Sequence, residues 1–480
     1  MRSAISREMG FRQEEGKLSS SGTLAWIWDR LKSFGKQILA SDYQMVDFEQ
    51  FPTPRSNMDE AQYKLEKERF VTGFSGSTLH DVGLVCAFMP VATLLRGAFP
   101  PSLFLDFLLQ LLPCVLSVMW TEYNLGKLLF LLGTALFLHK GLVWPWKNPR
   151  PAENVESGLA KLHYITEYRA IMLLATAVSI LAVDFPAYPR RFVKCETYGI
   201  SLMDLGTGSV LFASALVSRQ GRKSESKFPL SASILSVSPL LVMGVLRFAV
   251  HKFVNYQEHV SEYGVHWNFF LSIAAVVVLS SLLPCPPLAS GAFSALLVIW
   301  YQRHLDTGLS EFVLTAPRTD FFSQNREGIL GVVSFLAIYQ AGLALRPLFT
   351  SANHCLRNCL VLWICFAAAL WVIPGQPSRR LNNLAYVISV LEHNCLVLTL
   401  FCVAERIQVV YQPSMLVRAI SYNQLPYFML SNLLTGGVNL LVRTLYASDM
   451  MALAVVTAYQ VVAVGVVTGL YHFRIRLKYW

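Results

Sequence analysis

Past Thr78 the chain is a succession of long apolar stretches separated by short polar connections, and the stretches run on without the alternation of a half-buried strand. A bilayer core about 30 Å thick takes about 20 mostly apolar residues per crossing helix. About 13 such stretches fit between Thr78 and the C-terminus, beginning near Leu79, Ser102, Leu125, Tyr168, Ile200, Pro229, Val265, Pro287, Glu327, Ala352, Leu381, Leu425 and Met450. Continuous apolar runs exclude a transmembrane barrel, whose strands would be about 10 residues long with period two. The pattern predicts an all-α polytopic membrane protein with about 13 transmembrane helices.

Residues 1–77 read differently and form a polar N-terminal arm ahead of a transmembrane domain over 78–480. The arm holds an amphipathic stretch from Leu24 to Leu39 and a charged run from Glu60 to Arg69. It suits an interfacial helix or a poorly ordered extension. No apolar signal core precedes it, so the first spanning helix is expected to do the targeting. No repeat of 20 to 50 residues is visible, which argues against a solenoid or an evident inverted-repeat transporter.

Composition agrees with the pattern: 54% of the 480 residues are hydrophobic, 15% are charged, and the mean hydropathy is +0.45. The net charge of +10 is scattered over short connections, which suits a membrane surface and gives no nucleic-acid patch. Arg219, Arg222, Lys223 and Lys227 crowd one connection, while Arg474, Arg476 and Lys478 end the chain. By the positive-inside tendency both sets face the cytosol, leaving the arm and Arg190, Arg191 and Lys194 on the lumenal side. The nine cysteines show no metal-ligand spacing and no disulfide framework, so neither a structural metal nor a bound cofactor is expected.

Ionisable groups at bilayer depth cost about 2.5–3.5 kcal/mol each on insertion scales, so those that persist beside spanning helices are candidates for chemistry. The richest set runs from Asp184 through Arg190, Arg191, Lys194 and Glu196. Asp184 follows an apolar helix, where the macrodipole opposes a carboxylate, and Arg190, Arg191 and Lys194 can compensate if the Pro186 and Pro189 turns fold the segment back. A carboxylate beside cations can accept a proton from an alcohol, and Lys194 can stabilise an oxyanion; a helix-end salt bridge fits the same spacing. Cys195 has no histidine near it in sequence and reads as a packing residue.

Farther on, Asp204 lies between Met203 and the small residues Gly206 and Gly208, and needs a partner such as Arg190 or Lys194. His266 and Asn268 open the seventh apolar stretch, as a base and a hydroxyl contact or as an interfacial belt. Asn325 is placed to cap the helix that starts with Arg326 and Glu327. Asn432 and Asn439 share one helix face, either gluing helices together or lining a polar pocket.

Taken in order, Phe74-Ser75-Gly76-Ser77-Thr78, Val183-Asp184-Phe185-Pro186, Pro189-Arg190-Arg191-Phe192, Glu196-Thr197, Leu202-Met203-Asp204-Leu205-Gly206, Tyr263-Gly264-Val265-His266-Trp267-Asn268-Phe269, Asn325-Arg326-Glu327-Gly328-Ile329 and Asn432-Leu433-Leu434-Thr435-Gly436 resemble the glucosaminyl-phosphatidylinositol inositol acyltransferase family over roughly residues 70–475. The resemblance implies an acyltransferase-type bundle in the endoplasmic reticulum membrane. Its reaction would carry a fatty acyl chain, typically palmitoyl, from acyl-CoA to the inositol 2-hydroxyl of glucosaminyl-phosphatidylinositol in GPI-anchor synthesis. It also implies that Asp184 and Lys194 are catalytic. Arg190, Arg191, Asp204, His266, Asn268 and Asn432 are then expected around the substrate, and Arg219, Arg222, Lys223 and Lys227 at the CoA phosphates. A secondary transporter or lipid flippase, or an acyltransferase for another acceptor, would use the same buried charges; flux without new covalent product separates the first of these from an enzyme.

Overall fold

The computed structural model describes residues 57–122, 124–139, 163–218, 230–254, 260–283, 286–351, 354–408 and 414–477. The amphipathic stretch at Leu24 to Leu39 lies outside them, as do Arg219, Arg222, Lys223, Lys227 and Lys478. The chain divides into two compact units, Met1–Tyr63 and Lys64–Trp480. The second unit opens on the last turns of the helix Asn57–Phe70 and carries the spans found among the described residues.

The structure is all-α, and each expected apolar stretch is met by a helix that starts within about five residues of the anticipated position. Among the described residues seven helices are long and apolar enough to cross a membrane, with shorter apolar helices at Leu103–Met119, Asn124–Phe137, Leu205–Val217 and Phe269–Ser281. The β-structure present among the described residues is an isolated antiparallel bridge between Ser77 and Ile200. Helix starts follow ordinary capping chemistry. Thr78, Asn268, Asn383, Ser414 and Ser448 each accept a backbone N–H of the first turn through their side-chain oxygen.

Two spans form the middle of the bundle. Leu384–Ile407 has 78% of its apolar window buried and Arg326–Phe349 has 72%, against 11% for Cys355–Val372, whose Trp371 and Val372 face outward. With no water to satisfy a backbone in the hydrocarbon, helix is the only conformation open to such runs, and small residues set how near two of them come. A methyl at Gly208 would lie 2.7 Å from Val390 Cγ1, so Leu205–Val217 meets Leu384–Ile407 at a distance only glycine allows. Gly206 meets nothing and opens onto a cavity instead.

Hydrogen bonds tie connections between the spans together. Glu196 N–H donates to Phe74 O (2.9 Å), Gly199 N–H to Pro377 O (2.8 Å) and Val265 N–H to Gln324 O (3.1 Å). Segments far apart in sequence thus meet at a polar mouth.

Candidate functional site

A cavity of about 920 Å³ descends from that mouth into the bundle. Its upper wall carries Asp184, Lys194, Arg247, Glu262, His266 and Arg379, and its lower part is walled by apolar side chains such as Met89, Ile171, Met172, Val397 and Phe401. Leu433 and Leu440 also line it, and both are largely exposed, so the cavity reaches the lipid-facing flank of the helix Gln424–Leu441.

Asp184 follows the helix His163–Ala182 and is buried, but its compensation does not come from its own loop. Asn439 Nδ2 donates to its Oδ2 (2.8 Å), and Lys67 Nζ lies 3.4 Å from its Oδ1 while donating to Asn439 Oδ1 (2.8 Å). Lys67, Asn439 and Asp184 therefore form a closed polar triangle on three elements. Arg190 is otherwise engaged: its guanidinium donates to Val183 O, Phe185 O and Tyr188 O, satisfying carbonyls left over where the helix ends, and stacks over Phe70. Arg191 donates to Thr121 Oγ1 (2.9 Å), and neither arginine lines the cavity.

Lys194 pairs with Glu262 of the short helix Val260–Tyr263. About 36% of its side-chain surface is open, and that surface faces the cavity wall. Burial, then the nearby Arg379 and Arg247 charges, holds its ammonium well below the usual lysine range, with Asp204 and Asp184 acting in the other direction. Glu262 is presented by a turn at Gly264, whose φ of +116° and contact with the Asn325 and Gln324 backbone leave no room for a side chain.

Asp204 stands just before the helix Leu205–Val217. Its partner is Arg379, at 3.1 Å, where Arg190 or Lys194 was expected; it also accepts from Ser201 Oγ (2.8 Å) and from Cys195 N–H. The pair is almost fully buried and joins two connections, with Arg379 on the cavity wall and Asp204 behind it. Arg379 Nη1 also lies 3.9 Å from Glu262 Oε1, so a chain of charges runs Asp204, Arg379, Glu262, Lys194. Cys195 is buried, and burial together with the Asp204 carboxylate pushes its thiol well up, which agrees with a packing residue.

Asn268 is a helix cap, accepting from Phe270 and Leu271 N–H and donating to Gly244 O, although it touches the cavity as well. His266 stacks on Phe321, and its ring meets Asn325. Asn325 does not cap its own helix; its Oδ1 accepts from His266 N–H (2.7 Å) and Trp267 N–H (3.0 Å), because the facing loop brings two backbone donors to it. Asn432 lines the cavity and donates to Phe428 O one turn back. Asp184, Lys194, His266, Asn268 and Asn432 thus all line the cavity, whereas Asp204, Arg190 and Arg191 do not.

Residues 63–470 match the sequence profile of the GWT1 family. The chain belongs to the GWT1 family. A Dictyostelium discoideum relative, called phosphatidylinositol-glycan biosynthesis class W protein, is 31% identical over 87% of this chain and 99% of its own length. A Gibberella zeae relative, called GPI-anchored wall transfer protein 1, is 34% identical over 88% of this chain and 99% of its own. A Yarrowia lipolytica protein of that same name is 32% identical over 86% and 99%.

Within this GWT1-family chain, three of the groups that hold the paired motif residues carry no sequence signal as site residues. Lys67 belongs to a charged run, Glu262 is one of several titratable groups near His266, and Arg379 stands in no motif. Asn439 stands out as an amide on the Asn432 face, and that face does turn toward the cavity.

Proposed function

We propose that this chain is a multi-pass membrane O-acyltransferase of GPI-anchor biosynthesis in the endoplasmic reticulum. It transfers a fatty acyl chain, palmitoyl, from acyl-CoA to the inositol 2-hydroxyl of glucosaminyl-phosphatidylinositol. The observation that carries this reading is a cavity with Asp184 and Lys194 on its polar wall and an apolar body beneath them. Its volume of about 920 Å³ is at the upper end for ligand sites, room enough for an alkyl chain. Each buried CH₂ contributes about 0.8 kcal/mol, so the tail supplies most of the binding.

The residues on that wall supply the steps of the reaction. An ionised carboxylate offers about four lone-pair sites, so Asp184 keeps acceptor capacity beyond Asn439 and Lys67. It accepts the proton of the inositol hydroxyl as that oxygen attacks the thioester carbonyl carbon. The oxyanion of the tetrahedral intermediate is met by the Lys194 ammonium. Its collapse breaks the C–S bond, and the departing thiolate takes the proton from Asp184, leaving the carboxylate as it began. The acceptor phosphate is met by Arg247 and His266, which share the wall; Arg219, Arg222, Lys223 and Lys227, expected at the CoA phosphates, lie outside the described residues.

The test is acyl transfer by purified protein given labelled palmitoyl-CoA and glucosaminyl-phosphatidylinositol. Asp184→Asn and Lys194→Ala, each folded by its elution profile, are expected to lose about 10²–10⁴-fold in rate. Either variant working at the parental rate overturns the assignment, and lipid flux without a covalent product overturns the enzyme.

A further inference from the structure

We infer that Glu262 is a positioning residue for the transfer: it holds the Lys194 ammonium charged and aimed into the cavity. The inference rests on the acyltransferase reading above for its consequence in turnover, though the pairing itself does not.

Lys194 sits where an ammonium is poorly supported. The charged groups facing it come from every neighbouring element: Arg247 from the helix Leu230–Val254, Arg379 from the connection before Leu384, Asp204 from the start of Leu205–Val217, and Asp184 after Ala182. Two of these are cations. The two carboxylates among them are already committed, Asp204 to Arg379 at 3.1 Å and Asp184 to Lys67 at 3.4 Å and Asn439 at 2.8 Å. Glu262 is the carboxylate in direct contact with Lys194, and its side chain is mostly buried. A charge partner in a partly shielded wall favours the ionised lysine more than the same pair would at a fully exposed surface.

The backbone that presents Glu262 is built for one orientation. Gly264 adopts φ +116° and packs on Asn325, whose side chain holds the His266 and Trp267 N–H groups. Arg379, at 3.9 Å from Glu262 Oε1, bounds the carboxylate on its other side. A lysine stem is flexible, and an ammonium has no preferred direction of its own. The fixed carboxylate therefore sets where the charge sits.

The experiment titrates Lys194 directly. Full-length protein in detergent is labelled with acetic anhydride across about pH 6–10, the modification of Lys194 is quantified by peptide mass spectrometry, and acyl transfer is followed over the same range. In Glu262→Gln the labelling midpoint of Lys194 is expected to fall by about one pH unit or more. The alkaline limb of the rate should fall with it, and Glu262→Asp should restore much of both. An unmoved labelling midpoint in Glu262→Gln overturns the inference, as does a rate lowered equally at every pH. A Lys194→Ala protein that keeps the parental rate would defeat the acyltransferase reading instead, while the labelling midpoint would still decide whether Glu262 controls Lys194.

Discussion

At the scale of single residues, the two groups named by the motifs are each held by a partner from elsewhere in the chain. Asp184 pairs with Lys67 and Asn439, and Lys194 with Glu262. A hydrogen bond to a charged group contributes about 1.5–3 kcal/mol, so removing the Lys67 charge should be felt in the chemical step. Lys67→Met is expected to lower kcat by about 10-fold or more with little change in the KM for acyl-CoA, and Lys67→Arg to retain most activity. Steady-state kinetics on the purified variants decide this. The family resemblance singles out Asp184 and Lys194 through a local motif, ten positions from one to the other, and the structure puts both on the cavity. Their partners are not legible in the sequence: Lys67 meets Asn439 across 372 positions and Arg379 meets Asp204 across 175, and a single chain carries no spacing that joins such pairs.

At the scale of elements, apolar periodicity locates the helices well because the bilayer permits little else. Where polar residues begin or end those helices, the sequence misleads. Asp204 and Asn268 read as lying inside spans, but the helices start only at Leu205 and Phe269: Asp204 pairs with Arg379 of another connection, and Asn268 caps the helix that it precedes. Asn325 reads as a cap and instead bridges to the His266 loop. That bridge makes a prediction about the loop. Gly264→Ala places a methyl against the Asn325 backbone at φ +116° and is expected to destabilise the protein by about 1–3 kcal/mol. A lowered unfolding midpoint in detergent would show it; an unchanged midpoint would mean that the loop carries no such constraint.

At the scale of the whole molecule, the site is an assembly of connections between helices, closed over a cavity that continues into the apolar interior. The buried Asp204–Arg379 pair joins two of those connections. Leaving one buried charge without the other costs about 3–5 kcal/mol, so Arg379→Met should lower the yield of folded protein and its unfolding midpoint sharply. The surviving fraction is expected to be impaired through Glu262 and Lys194 as well. The central claim is that this cavity joins an acyl thioester to an inositol hydroxyl. Its most direct measurement gives purified protein labelled palmitoyl-CoA with glucosaminyl-phosphatidylinositol or with the 2-deoxy-inositol analogue, and counts free CoA and acylated lipid by mass spectrometry. The account predicts one acyl group on the inositol ring for each CoA released, and none on the 2-deoxy lipid. An unaltered acceptor, or equal acylation of both lipids, would contradict it.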